Sequence, residues 1–292
     1  MPSPAPAPEA NMSGPLISGR TSLIAHLGYP TESFKAPMIY NPYFGTAGID
    51  AVVVPMGCKA EDYPAFLPLV SRLSNVIGAL VTMPHKVTTI GLVDIVSPTA
   101  AVAGAANAVR RDAEGRLVAD MFDGEGFVRG VERKGRALKG ARVLVVGSGG
   151  VGSAIAASLA KAGVSEMALY DAFPASAEAL AGRLAQHYPQ LKLTLGSNDP
   201  AGLDVIVNAS PLGMKPDDPL PMDAERIDPS TFVGEVVMKT EITPFLAAAR
   251  ARGCAYQVGT DMLFEQIPAY LEFFGLPSTS AEHLRDVARI EY

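Results

Sequence analysis

Val143-Leu144-Val145-Val146-Gly147-Ser148-Gly149-Gly150-Val151-Gly152-Ser153-Ala154 is the stretch on which the fold turns. Four apolar residues run into glycines, and the glycines open an alanine-rich segment, residues 150–162, that stops at Gly163. A short apolar run bounded by glycine reads as a buried strand, and the segment behind it as a helix. In such a unit the first glycine permits a tight turn and the next lets the backbone approach a pyrophosphate. The amides and dipole of the helix N-terminus then hold the anion. Gly147, Ser148, Gly149, Gly150, Val151 and Gly152 are therefore the expected cofactor-binding loop of a dinucleotide site. The next strand, residues 167–170, ends at Asp171, where an acidic group would bond the ribose hydroxyls and repel a 2′-phosphate. Ala172, Phe173, Pro174 and Ala175 follow with no arginine, so NAD is expected in preference to NADP. Asp171 is also suited to cap the helix behind it.

Working outward, residues 192–195, 205–208 and 233–237 read as further strands. Upstream, residues 22–27, 51–55 and 77–82 read as strands. A helix is expected from Pro37 through Ile39 and Phe44, and another over 61–73 with Phe66, Leu67, Val70 and Leu73 on one face. Residues 107–111 and 117–121 form an expected hairpin about the turn 112–115. A helix over 125–134 leads into a polar hinge, 134–140, with glycine near both ends. Short apolar runs alternating with helical patterns give an α/β protein of two domains. The first is an N-terminal α/β substrate domain with a mainly parallel sheet, the second a Rossmann-like dinucleotide-binding domain. The expected boundaries are a disordered tail over 1–20, a substrate and catalytic domain over 21–124 plus 261–292, and the dinucleotide-binding domain over 125–260. The last helices, about 261–274 and 279–290, are expected to cross back onto the first domain.

The 292 residues suffice for two domains, and 48% apolar content suffices for their cores. A net charge of −6 gives no electrostatic footprint for nucleic acid, and without tryptophan there are few platforms for stacking bases. Cys58 and Cys254 lie far apart with no Cys/His cluster, which argues against a disulfide framework or a metal site and for two buried thiols. No basic segment with an apolar core opens the chain, and no apolar run approaches the roughly 20 residues that span a bilayer. The expectation is a soluble, cytoplasmic protein, monomeric or homodimeric, whose partner is a small molecule rather than nucleic acid or membrane.

Three side chains upstream of the loop carry candidate chemistry: Lys86 in Val81-Thr82-Met83-Pro84-His85-Lys86, Asn107 in Gly104-Ala105-Ala106-Asn107, and Asp123 in Phe122-Asp123-Gly124. A lysine of pKa about 10.4 is a poor base unless its surroundings lower that value, and an ionised aspartate nearby would orient it. Such a pair can pass a hydroxyl proton while a hydride moves to or from nicotinamide. Taken singly, Lys86 fits an ordinary salt bridge, Asp123-Gly124 a turn, and Asn107 a strand end. His85 ranks below Lys86 because an adjacent residue points elsewhere. His26, His187 and His283 are scattered and carry no signal, and no Ser/His/Asp constellation is recognisable.

With these motifs in order and at these spacings, the chain resembles the shikimate/quinate dehydrogenase family over about residues 21–290. The family's V-T-x-P-x-K segment carries a catalytic lysine, matched by Lys86. Its G-A-x-N-x-V segment carries a substrate-binding asparagine, matched by Asn107, and its N-T-D-x-x-G segment a partner aspartate, matched by Asp123. Its N-A-(S/T)-x-x-G-M segment beside the nicotinamide is matched by Asn208, Ala209, Ser210 and Met214. A late glycine followed by M-L-x-x-Q is matched by Gly259, Met262 and Gln266. The resemblance implies a ring-alcohol oxidoreductase with Lys86 and Asp123 in catalysis and Thr82, Asn107 and Gln266 on the substrate.

The departures cluster by role. The family's opening G-x-P-x-x-H-S-x-S-P-x-x-H-N presents two serines to a substrate carboxylate, and here Phe34 and Ala36 stand in those places. The tyrosine of D-x-x-Y-N-P is replaced by Met238. Met121 and Phe122 replace the asparagine and threonine before the catalytic aspartate, and Leu80 replaces an asparagine two residues before Thr82. Losing donors to a desolvated carboxylate costs about 1.5–3 kcal/mol each. The implied substrate is a hydroxylated ring whose carboxylate is modified, missing or held otherwise, by Ser33 or Lys35, with Phe34 and Met238 lining a more apolar end. Alternatives are an ordinary shikimate or quinate dehydrogenase and, from another class, a non-catalytic dinucleotide-binding sensor. The methylenetetrahydrofolate dehydrogenase architecture fits less well, since its tyrosine four residues before the lysine is here Thr82.

Overall fold

The β-branched runs of the N-terminal half form strands whose alternate residues enter two cores. In the computed structural model, which describes residues 17–32, 34–215 and 217–290, β1 (Ser22–Gly28) pairs in parallel with β2 (Ala51–Gly57) and with β3 (Val76–Val81). Ile24 faces one core and Ala25 and Leu27 the other, as the period of two demands. Helices α1 (Pro37–Ala47) and α2 (Tyr63–Val70) follow β1 and β2. A four-residue helix α3 (Lys86–Thr89), β4 (Ile95–Val96) and α4 (Pro98–Ala103) lead to the hairpin of β5 (Ala108–Arg111) and β6 (Leu117–Asp120). The sheet order is β2-β1-β3-β5-β6-β4, parallel except that β5 runs against its neighbours.

Helix α5 (Asp123–Arg133) connects to the second sheet. Its members are β7 (Arg142–Val146), β8 (Glu166–Tyr170), β9 (Lys192–Leu195), β10 (Val205–Asn208), β11 (Phe232–Glu235) and β12 (Tyr256–Gln257). Helices α6 (Gly150–Lys161), α7 (Pro174–His187) and α8 (Pro244–Ala251) intervene. All its pairings are parallel, in the order β12-β11-β10-β7-β8-β9. That is the doubly wound dinucleotide-binding order, whose topological switch point lies between β7 and β10. Helices α9 (Gly259–Phe273) and α10 (Ala281–Val287) end the described chain, and Phe264, Ile267, Tyr270 and Leu271 of α9 pack into the core of the first sheet with Ile24, Ile39 and Tyr40.

The expected α/β architecture with two mainly parallel sheets is present, with local corrections. The helix expected over 61–73 spans only Tyr63–Val70, with Leu73 outside it and 53% exposed. The last strand expected over 233–237 ends at Glu235. The helix expected from Glu125 starts at Asp123, so Asp123-Gly124 is a helix start and not a turn. The reason is packing: a Cβ on Gly124 would lie 2.0 Å from the Ala154 carbonyl oxygen, so glycine lets α5 lie against α6. Asp171 does not cap α7, whose N-cap is Phe173. The tail over 1–20 falls mostly outside the described residues, as does Ser33. Among the described residues no helix is long and apolar enough to cross a membrane, and no group of acidic, histidine and cysteine side chains could hold a metal ion. Both cysteines are free and buried.

Candidate active site

At the C-terminal end of β3 the chain turns through Thr82 into α3, and this turn presents Lys86. Thr82 N–H donates to the Leu27 carbonyl (2.9 Å), His85 N–H to the Thr82 carbonyl (2.9 Å) and Ala106 N–H to the Lys86 carbonyl (2.9 Å), which fixes the turn against both neighbouring segments. Lys86 Nζ donates to Asp123 Oδ2 at 2.7 Å, the lysine side chain being 25% exposed and the aspartate 9%. Asn107 Nδ2 donates to Asp123 Oδ1 at 2.9 Å, while Asn107 Oδ1 accepts from Phe122 N–H at 2.9 Å. Both oxygens of Asp123 thus have donors, and the carboxylate sits at the first turn of α5, where the helix dipole favours negative charge. Three segments separated in sequence meet in one charge-assisted network.

His85 points away from it. Its ring stacks on Tyr63 (3.9 Å between centroids, 5° between planes) and its Nε2 lies 2.8 Å from the Cys58 carbonyl oxygen. Burial pushes its pKa down, the backbone hydrogen bond partly opposing. It serves the fold behind the turn.

Lys86 and Asp123 line a cavity of about 270 Å³ together with Thr82, Gln266, Lys35, Phe34 and Met238. These are the described members of the expected substrate set apart from Asn107, which is 1% exposed and reaches the cavity only through Asp123. Gln266 Oε1 is buried without a hydrogen-bond partner, a group that a ligand can satisfy. Phe34 lies over Gly28, where a Cβ would come within 2.7 Å of its Cζ, and Met238 is 55% exposed. Sequence reasoning missed several lining residues: His26, Tyr40, Leu263, Ile267 and Tyr270. His26 has no partner close by in sequence. Only the register of β1 on β3, which places it opposite Leu80, reveals its position. Burial lowers its pKa from 6.5 to about 4, with the nearby Lys86 charge acting in the same direction.

The glycine loop lies at the switch point. Gly147 has φ +102°, and a Cβ there would fall 2.7 Å from the Ala209 backbone. A Cβ on Gly152 would meet the Gly147 carbonyl oxygen at 1.9 Å, so α6 starts hard against the turn. Gly149 and Gly150 face open space at the start of α6, which fits a pyrophosphate on the helix amides. Ser148 is buried, and its N–H donates to Asp171 Oδ2 at 2.7 Å. The other Asp171 oxygen accepts from Phe173 N–H at 2.8 Å. Val151 follows on α6, partly buried against the core. Across the crevice, Asn208 donates to the Leu212 carbonyl (2.9 Å) and to Glu235 Oε1 (3.0 Å), and accepts from Ser210 Oγ at 2.6 Å. Glu235 is fully buried and desolvation pushes its pKa up, opposed by hydrogen bonds from Val237, Thr243, Asn208 and Val236. This network shapes the 208–214 loop, with Ala209 against Gly147 and Met214 49% exposed. Gly259 opens α9 so close to Val237 that a Cβ would meet its carbonyl oxygen at 2.2 Å, whereas Met262 is buried in the core with Phe127.

Residues 27–109 match the shikimate dehydrogenase substrate binding domain, and residues 127–172 match the ThiF family. A shikimate dehydrogenase (NADP(+)) of Rubrobacter xylanophilus is 34% identical over 262 residues, 87% of this chain and 91% of the relative. The shikimate 5-dehydrogenase of Listeria monocytogenes, solved in complex with shikimate and NAD, superposes with a TM-score of 0.86 at 26% identity, over 93% of this chain and 97% of that one. The quinate dehydrogenase of Corynebacterium glutamicum in complex with NAD gives a TM-score of 0.80 at 28% identity, over 91% and 98%.

Proposed function

The chain belongs to the shikimate/quinate dehydrogenase family and is an NAD(P)-dependent oxidoreductase of cyclic alcohols, and from that premise we propose how this member works and on what. Lys86 and Asp123 are the proton-transfer pair for a ring hydroxyl interconverted with a ketone, and the observation that carries this is the Lys86–Asp123–Asn107 network on the cavity wall. Lys86 holds the proton at the substrate oxygen, giving it to the ketone in reduction and taking it from the hydroxyl in oxidation. Asp123 orients the ammonium, and Asn107 fixes Asp123. Thr82 and Gln266 bind the ring hydroxyls. The bound nicotinamide cofactor supplies or accepts the hydride.

The cofactor would lie on Gly147, Ser148, Gly149, Gly150, Val151 and Gly152, against Asn208, Ala209, Ser210 and Met214, with Gly259 and Met262 behind the nicotinamide. Asp171, with no basic residue through Ala175, supports NAD over NADP. The substrate and catalytic unit comprises 21–124 with 261–292, and the dinucleotide-binding unit 125–260.

The substrate is a hydroxylated cyclohexane or cyclohexene whose carboxylate is altered or absent, because Phe34, Ala36 and Met238 line the cavity where donors to a carboxylate are expected. Lys35 also lines it, and this favours ordinary shikimate or quinate oxidation as a second reading. Initial rates with shikimate, quinate and ring alcohols lacking the carboxylate test both. Preference for the latter, abolished in Lys86→Ala with cofactor affinity intact, is expected. A clear preference for shikimate with a micromolar KM overturns the substrate assignment but not the chemistry.

A further inference from the structure

His26 is a polar side chain in this cavity that no role above uses. It is 8% exposed, lies on the C-terminal part of β1, and faces the side of the sheet covered by α1 and α9. Its ring packs on Phe34 with centroids 4.1 Å apart and planes inclined by 31°. Its Nδ1 is buried and has no hydrogen-bond partner. A buried imidazole nitrogen without a partner is rare in folded proteins, since one ring nitrogen must donate or accept wherever water is excluded. Here the ring lines the substrate cavity, so a ligand is the available partner.

The surroundings define what that ligand offers. Opposite His26 across the β1–β3 ladder stands Leu80, and Ala36 and Ile39 complete the neighbouring wall, so none of these three competes for a polar group. Tyr40 and Tyr270 line the same cavity, 2% and 6% exposed, and desolvation pushes both phenols well above their usual pKa, which leaves them neutral donors. Burial and the Lys86 charge hold the imidazole neutral as well. A neutral imidazole and two phenols present one-donor, one-acceptor groups. They match hydroxyl and carbonyl oxygens and offer a carboxylate no charge. Lys35, which also lines the cavity, is itself not without a partner in the free protein.

We propose that His26 is the specificity-determining residue at the Phe34 end of the cavity, hydrogen-bonding a hydroxyl or carbonyl oxygen of an uncharged polyhydroxylated ring substrate. This deepens the substrate reading above and rests on it. Selection arises at His26, whose neutral imidazole offers a carboxylate a single donor and no charge.

Shikimate and its carboxamide test this, because they share a ring and differ at one substituent, where a charged carboxylate is replaced by a neutral amide of similar size. The wild type is expected to show a kcat/KM at least about tenfold higher for the carboxamide. His26→Val is expected to raise KM for the carboxamide at least about tenfold, with kcat and the acid little changed, so that the preference collapses. His26→Gln, which still donates and accepts, restores most of it. A wild-type preference for the acid, or a His26→Val variant that leaves the ratio unchanged, overturns the proposal. Calorimetric binding of the same two compounds to the wild type and His26→Val, with NAD present, reads the ratio without turnover. If binding follows the expected pattern but no oxidation occurs, His26 stands and the catalytic reading falls. If the carboxamide does not bind, the His26 assignment falls.

Discussion

Lys86, Asp123 and Asn107 act as one hydrogen-bonded unit, so their substitutions should not be equivalent. Lys86→Ala removes the proton donor itself, and kcat is expected to fall by about 10²–10⁴ with the dissociation constant for NADH unchanged, as read by its nicotinamide fluorescence. Asn107→Ala leaves Asp123 Oδ1 and the Phe122 N–H without partners, each nearly buried, and is expected to lower both kcat and stability, the latter by about 1–3 kcal/mol. Asp171→Asn is expected to shift the NAD-to-NADP ratio of kcat/KM towards NADP; an unchanged ratio would remove Asp171 from cofactor choice. The lysine and aspartate were legible in the sequence because motif order gave them a context. His26 was not, since its significance comes from the strand register and from Phe34 folding back over Gly28.

Helix α5 joins the two sheets, and its glycines do the joining. Gly124 meets Ala154 of α6, and Gly126 meets the Met262 carbonyl oxygen of α9, where a Cβ would come within 2.5 Å. Neither contact can yield, because each neighbouring atom is helix backbone. Gly124→Val is therefore expected to cost at least about 1–3 kcal/mol in urea unfolding and to lower activity by displacing Asp123 next to it. Gly150→Ala is the contrast: its Cβ meets nothing in the free protein, so stability should hold while KM for the dinucleotide rises. The strands were readable as short apolar runs, those over 22–27 and 143–146 stopped by glycine and that over 51–55 by proline. The start of α5 was not, because Asp-Gly favours a turn locally and only the approach of α6 and α9 selects a helix there.

For the whole molecule, the sequence implied two mainly parallel sheets and the return of the last helices onto the first domain, which closes the cavity, but not the strand order that sets the switch point beside Gly147. One consequence of that closure is a pH dependence of folding. His26 titrates at about 4 in the folded protein, against 6.5 for a solvated histidine. Between these values the unfolded chain binds more protons, so stability rises with pH. The contribution is complete above about 6.5 and is lost as pH falls through about 4, with a span on the order of 3 kcal/mol. His26→Val should flatten the urea midpoint over this window, and an unchanged slope would contradict burial of a neutral imidazole.

The most direct measurement is the formation of reduced nicotinamide, followed by absorbance, by the wild type and Lys86→Ala on shikimate and its carboxamide with NAD. Turnover by the wild type, faster on the carboxamide and slowed by about 10²–10⁴ in the variant, is the expected result. Turnover undiminished by loss of Lys86 would contradict the assignment of proton transfer to the Lys86–Asp123 pair.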